Sequence, residues 1–151
     1  MGISQPTDNV NGLTHSLHRA SQFADDLFAE AVDDKTLTAR QLVVLEIVGR
    51  QAKLSQTEIC AQSGIDRSTM ADMIGRMVRK GYVMRRRSRA DSRRYAVQLT
   101  EKGREAMEKA LPHARNVEER VAGVLTAKQR QLFFAALQRI LDASEARGLR
   151  S

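Results

Sequence analysis

Ten basic side chains, Arg67, Arg76, Arg79, Lys80, Arg85, Arg86, Arg87, Arg89, Arg93 and Arg94, share the stretch 67–94 with only two acids, Asp72 and Asp91. The stretch carries a net charge of +8 while the whole chain carries +7, so the remaining residues sum to about −1. Localised guanidinium charge of this density seeks a polyanion, and nucleic acid is the commonest one. Covalent chemistry finds little support elsewhere. No nucleophile has a base at a legible spacing, no glycine-rich loop is built for phosphate, and no carboxylate pair is placed as an acid and base, so an enzyme is not expected. The single cysteine, Cys60, rules out an internal disulfide framework, and with three histidines it leaves too few ligands for a Cys-rich zinc module. No cofactor or metal site is expected.

The elements that must position this charge are helical. The chain has 151 residues, no Trp, 4% aromatics and two Pro, a helix-forming composition long enough for one ordinary domain. The first residues, MGISQPTDNVNG, offer neither a basic n-region nor an apolar core, and nowhere do 18 apolar residues run together. A soluble protein of the reducing cytoplasm, without a membrane partner, is the expectation. Residues 1–9 lack any period and read as a mobile arm. Leu13, Leu17, Ala20, Ala24, Leu27 and Ala31 then follow alternating spacings of four and three, a narrow seam suited to helix-on-helix packing within or between subunits.

Three capping boxes punctuate the rest of the chain: Thr38 with Gln41, Ser55 with Glu58, and Thr126 with Gln129. Leu37 is expected to staple to Leu42, and Leu54 to Ile59. The second box opens a short helix over about 55–63, which Gly64 ends by taking a left-handed conformation. Asp66 caps the next helix. There Met70, Ile74, Met77 and Val78 form a core stripe, while Arg67, Ser68, Asp72, Arg76 and Arg79 fall on the opposite, net basic face. Gly81 closes it. The period then changes to two: Tyr82 and Met84 alternate with Val83 and Arg85, and Tyr95, Val97 and Leu99 with Arg94, Ala96 and Gln98, around a polar tip at 87–93. Thr100 caps a long helix that Pro112 should kink. A last helix carries Phe133, Ala136, Leu137, Ile140 and Leu141 on one side.

A short helix, a glycine-containing turn and a second two-faced helix make a helix-turn-helix, and a hairpin directly after it makes that a winged helix. Arg67, Ser68 and Thr69 occupy the turn that reaches base edges, where Arg pairs with guanine and the hydroxyls serve bases or phosphates. Ser55 and Gln56 can offer backbone amides to a phosphate. The tip RRRSRADSRR, with Arg86, Arg87, Arg89, Arg93 and Arg94, suits the backbone and a narrow minor groove, and Asp91 is better placed to orient an arginine than to face phosphate. Any one of these features also fits a solvated helix face or a flexible tail. Their order favours double-stranded DNA over an acidic protein partner.

Residues 54–108, LSQTEICAQSGIDRSTMADMIGRMVRKGYVMRRRSRADSRRYAVQLTEKGREAME, resemble the MarR (multiple antibiotic resistance regulator) family of bacterial winged-helix repressors. IDRSTMADMIGRMVRKGYV, the D-x-R-R of Asp91, Arg93 and Arg94, and QLTEKGRE are the most specific elements. The resemblance implies a mainly α fold with a small β-hairpin, in which 10–151 form a single domain. Its winged helix-turn-helix lobe is 37–100, and 10–36 with 101–151 are the dimerisation helices. It also implies a homodimer on a pseudo-palindromic operator, with half-sites about one helical turn apart, roughly 34 Å. Arg93 would enter the minor groove, oriented by Asp91. Release would follow binding of a small aromatic or phenolic acid.

The sensor is less legible. Cys60 stands where related sequences carry a small buried residue, and a core side chain is the simpler reading than redox control. His15, His18 and His113 are too sparse for a zinc sensor, and the absence of Trp argues against the urate-responsive branch. An anionic aromatic ligand would want a cation beside an apolar wall, which Arg19 or Arg40 near His15, Phe23 and Phe28 would supply. A constitutive regulator or activator without a ligand remains the alternative, as does a redox-responsive repressor acting through Cys60.

Overall fold

The computed structural model describes residues 12–32, 37–87 and 95–146, and of Ala146 only the backbone. Six helices and a three-stranded sheet occur in the order α1 (Leu13–Ala31), α2 (Ala39–Arg50), β1 (Leu54–Ser55), α3 (Gln56–Ser63), α4 (Arg67–Arg79), β2 (Val83–Arg87), β3 (Tyr95–Leu99), α5 (Glu101–Ala122) and α6 (Ala127–Ala146). The mainly α expectation holds. The arm 1–9 and the hairpin tip beyond Arg87 lie outside the described residues.

All three capping boxes form. Thr38 Oγ1 accepts the Gln41 amide at 3.2 Å while Gln41 Oε1 accepts the Thr38 amide at 3.1 Å, and the Thr126–Gln129 pair repeats this at 3.3 and 2.9 Å. Such bonds need only residues three apart, which is why the helix starts are so well defined. The expected staple residues Leu37, Leu42, Leu54 and Ile59 are all buried. The core gathers the inner faces of α1 to α5 and of the sheet, with Leu45, Ile59, Met70, Ile74 and Met77 sealed from solvent. Pro112 lies on an exposed face of a continuous α5, where water can serve the carbonyl that proline leaves without an amide.

Three expectations are corrected. The sheet has three strands in the order β1-β3-β2, because the two residues before α3 pair with β3, Leu54 opposite Val97 and Ser55 opposite Ala96. A two-residue strand has no period to read. Strict alternation also fails: Tyr82 and Val83 are both buried, and so are Ala96 and Val97, because burial here follows the helices packed on the strands, α2 and α3 on β3 and α4 on β2, rather than the strand period. Val78 is 37% exposed rather than in the core stripe. At 3.6 residues per turn it lies roughly 80° around the helix from Met70, at the rim of the buried arc.

The end of α4, the start of β2 and the start of α5 meet at one peptide. The Tyr82 amide bonds the Met77 carbonyl and the Gly81 amide the Val78 carbonyl, both at 2.9 Å, with Gly81 at φ 77°, a Schellman ending. The Tyr82 carbonyl accepts the Thr100 amide at 3.1 Å and the Thr100 hydroxyl at 3.0 Å. Thr100 Oγ1 in turn caps α5 by accepting the Gly103 amide at 3.0 Å. Gly103 packs so closely here that a Cβ would stand 1.9 Å from the Tyr82 oxygen. Backbone cannot yield as a side chain would. Gly103→Ala should therefore destabilise the fold by about 2–3 kcal/mol in a denaturant titration. Gly75→Ala, whose Cβ would meet only Arg79 Nη1 at 3.7 Å, should instead be neutral or stabilising by up to about 1 kcal/mol.

Candidate nucleic-acid interface

Recognition geometry begins with how α4 is held. Met70, Ile74 and Met77 are fully buried, and each contributes about 2 kcal/mol of burial. Together they fix the rotation of the helix about its own axis. Arg67, Ser68, Asp72, Arg76 and Arg79 are thereby turned outward, and Thr69 with them. Asp66 caps the helix, its Oδ1 accepting the Thr69 amide at 2.9 Å. Gly64, at φ 70°, sends its amide back to the Cys60 carbonyl at 2.9 Å, and the Ser63 hydroxyl accepts the Ile65 amide at 3.2 Å. The turn between α3 and α4 is thus set by backbone bonds and caps, with Ile65 packed on the core. One turn further along the outer face, Asp72 and Arg76 form an ion pair between exposed side chains. In solvent such a pair adds little stability, but it holds the Arg76 fork in one place.

The start of α3 is more closed than expected. Glu58 accepts both the Ser55 amide at 2.7 Å and the Ser55 hydroxyl at 2.6 Å, and returns its own amide to Ser55 Oγ at 3.2 Å. The Ser55 amide is therefore spent on the cap and not available to a phosphate, whereas the box does not engage the Gln56 amide. Gln62 Nε2 ties the other end of α3 to Gln51 Oε1 at 3.0 Å, bracing it against the end of α2.

The wing leaves the body at β2. Arg85, Arg86 and Arg87 are all exposed, paired in register with Val97, Ala96 and Tyr95. Arg86 Nε rests 3.3 Å from the Met84 sulfur on one face of the sheet, so Arg85 and Arg87 project from the other. Arg89, Asp91, Arg93 and Arg94 lie outside the described residues.

The proposed sensor residues are not brought together. His15, Arg19 and Phe23 form an exposed stripe on α1, and Arg40 is exposed in the first turn of α2. Phe28 is 3% exposed and belongs to the core. It lies roughly 140° around the helix from Phe23, so the two rings cannot share a wall. A cleft of about 620 Å³ opens elsewhere, where Val32 and Leu37 meet Tyr82 and the α5 residues Lys102, Lys109 and His113. Sequence periodicity had no means of finding it, because its walls come from three distant segments. Lys102 crosses its edge, donating to the Lys80 carbonyl at 2.8 Å with its ammonium 5.6 Å from the centre of the Tyr82 ring. Among the described residues no group of three His, Cys, Asp or Glu could hold a metal ion, and no helix is long and apolar enough to cross a membrane. Cys60 is buried, and that burial pushes its thiol above the ordinary value despite the nearby Arg67 charge. A protonated, enclosed thiol is a poor redox sensor.

A capped helix pair, an outward basic helix face and an arginine-bearing hairpin define a winged helix-turn-helix protein. Residues 37–95 match the MarR family model. The HTH-type transcriptional repressor NicR of Pseudomonas putida is 27% identical over 143 residues, covering 95% of this chain and 90% of that one. BpsR of Bordetella bronchiseptica, whose DNA binding is regulated by 6-hydroxynicotinic acid, is 28% identical with a TM-score of 0.83, covering 91% of this chain and 99% of its own. The repressor CouR, solved on a 23-mer DNA duplex, is 28% identical with a TM-score of 0.75 over 85% of this chain and 92% of its own. The chain is a DNA-binding transcriptional regulator of the MarR type and not an enzyme.

Hydrogen bonds from the Thr69 side chain and amide hold the Asp66 carboxyl below its ordinary value of 3.8. Such a group favours the folded helix start above the ordinary carboxylate pKa and loses that contribution as pH falls through its own lowered value. Asp66→Asn, which retains a capping oxygen but cannot titrate, should flatten the fall of the thermal midpoint below pH 4 relative to the parent.

Proposed function

We propose that the chain acts as a homodimeric repressor on a pseudo-palindromic operator and is released by a small aromatic acid. The observation that carries the DNA reading is the rigid outward presentation of Arg67, Ser68 and Thr69 at the start of a helix locked by three buried residues. In this reading those side chains meet base edges. Asp72 and Arg76 continue the same face, the Gln56 amide and Arg86 and Arg87 meet phosphates, and the wing tip with Arg89, Arg93 and Arg94 enters the minor groove, Asp91 orienting Arg93.

Dimerisation is supported by α6, where no described side chain is buried and Leu132, Phe133, Phe134, Ile140 and Leu141 stand 46–70% exposed. Leu13 and Phe23 on α1 add to this uncovered apolar surface. So much uncovered apolar surface calls for a partner, and a second copy would cover the same elements on each side. In this reading 10–36 and 101–151 serve dimerisation and 37–100 binds DNA. Selection from a random duplex pool should then yield two inverted half-sites centred about 34 Å apart. Arg67→Ala should cost about 1–3 kcal/mol of preference for that site over a scrambled duplex. Equal affinity for the two duplexes in the parent protein defeats the reading.

Repression and effector release are supported by the relatives NicR and BpsR. The cleft supplies a matching chemistry: apolar Val32 and Leu37, the Tyr82 ring, and the cations Lys102 and Lys109 with the His113 imidazole for a carboxylate, against a single acid, Glu105. It touches both the helices assigned to dimerisation and the segment that leads from the recognition helix into the wing, so a ligand there bears on their relative placement. Titration with a panel of aromatic carboxylates that includes 6-hydroxynicotinic acid should dissociate the operator complex. Lys109→Gln should raise the concentration required about tenfold and leave operator affinity unchanged. A panel without any active member identifies a constitutive regulator instead.

A further inference from the structure

The chain has two tyrosines, and they are treated oppositely: Tyr82 is 4% exposed in the core, whereas Tyr95 is 50% exposed at the root of the wing. Along β3 the change is abrupt, since Ala96 and Val97 are 7% and 2% exposed. Tyr95 is thus the first residue at which the sheet runs past the core that supports it. Its position is well defined by pairing. In register it stands opposite Arg87 on β2, and on the other edge it lies one residue beyond the last β1 pair, Ser55 with Ala96, beside the start of α3. Arg85 lies two residues from Arg87 and shares its face of the sheet, because side chains alternate along a strand.

This phenol is not wholly taken up by the fold, because half of it remains in water. It does have an apolar body and a hydroxyl at a site whose field is made by arginines, which suits an interface that is partly wet and faces an anion. The root of the wing is held to the body of the lobe by pairing with β2 on one edge and β1 on the other, so on a duplex bound by this face it would lie beside the sugar-phosphate strand next to the recognition helix. Tyrosine hydroxyls are regular donors to phosphate oxygens in such interfaces.

We infer that Tyr95 is a DNA-contacting residue whose hydroxyl donates to an operator backbone phosphate at the wing root, between Arg87 and the start of α3. The inference rests on the reading that this face binds duplex DNA. A neutral donor to a phosphate adds affinity without adding charge. Its loss therefore weakens binding to every duplex equally and leaves the salt dependence as it was, whereas loss of an arginine contact lowers the slope of log K against log salt by about 0.9.

The experiment compares full-length Tyr95→Phe, Tyr95→Ala, Arg87→Ala and Arg67→Ala with the parent on selected operator and scrambled duplexes over a salt series. Thermal midpoints establish that each variant is folded. Tyr95→Phe is expected to bind both duplexes about tenfold more weakly with an unchanged salt slope, and Tyr95→Ala at least as weakly. Parental affinity in Tyr95→Phe overturns the inference, including the case in which only Tyr95→Ala is impaired, which would make the ring a packing group. If Tyr95→Phe behaves as parent while Arg67→Ala still loses operator preference, the wing-root contact fails and the DNA reading stands. If Arg67→Ala also leaves preference unchanged, both fail.

Discussion

The peptide of Tyr82 is the constraint on which the DNA-binding lobe depends. Its amide closes the end of α4 on the Met77 carbonyl, its carbonyl takes the Thr100 amide and hydroxyl, and its chain direction launches β2. Three elements that must act together are thereby joined within one residue. The recognition helix cannot slide along its axis without breaking the Schellman ending, and α5 cannot lift away without exposing the Tyr82 carbonyl. Gly103 permits this closeness because it has no Cβ to meet the Tyr82 oxygen. Buried backbone groups left unpaired are costly, so the junction resists distortion more than a purely apolar contact would.

Around that junction the molecule divides its labour by surface chemistry. The lobe of α2 to β3 carries a net charge of +8 against +7 for the whole chain, and its described arginines on α4 and β2 are held outward by a core of ordinary aliphatic and thioether side chains. The outer helices carry apolar surface without a covering layer, most of all α6. The same physical rule explains both. Charge is stable facing water and ready for phosphate, whereas uncovered leucine and phenylalanine are unfavourable until another protein surface removes them from water. A dimer built on the outer helices would fix the separation of two charged lobes, which is the property a palindromic site reads. The cleft beside Tyr82 lies where these two parts meet, and Lys102 crosses its edge to the carbonyl of Lys80, the cap of the recognition helix.

The starts and stops of the helices were legible because each rests on residues at most four apart. Thr38, Ser55, Asp66, Thr100 and Thr126 all cap as their spacing predicts, and Gly64 takes its left-handed turn. The outward face of α4 was legible for a similar reason, since three buried residues at helical spacing determine what lies opposite. The errors share a cause of the other kind. Spacing alone places Val78 in the core stripe, although the width of the buried arc is set by whatever packs against the helix. Position at a helix start offers the Ser55 amide to a phosphate, although that amide goes to Glu58.

What the sequence determined by itself is the class of the protein: local capping and a change of period from 3.6 to two place a basic helix and a basic hairpin side by side. What only the tertiary structure decided is how far the core extends. Burial depends on neighbours contributed by distant segments, so the third strand from Leu54 and Ser55, the cleft against α5 and the contrast between buried Tyr82 and exposed Tyr95 could not be read from spacing. The limit of that core along β3 separates a side chain that holds the fold from one presented to a partner.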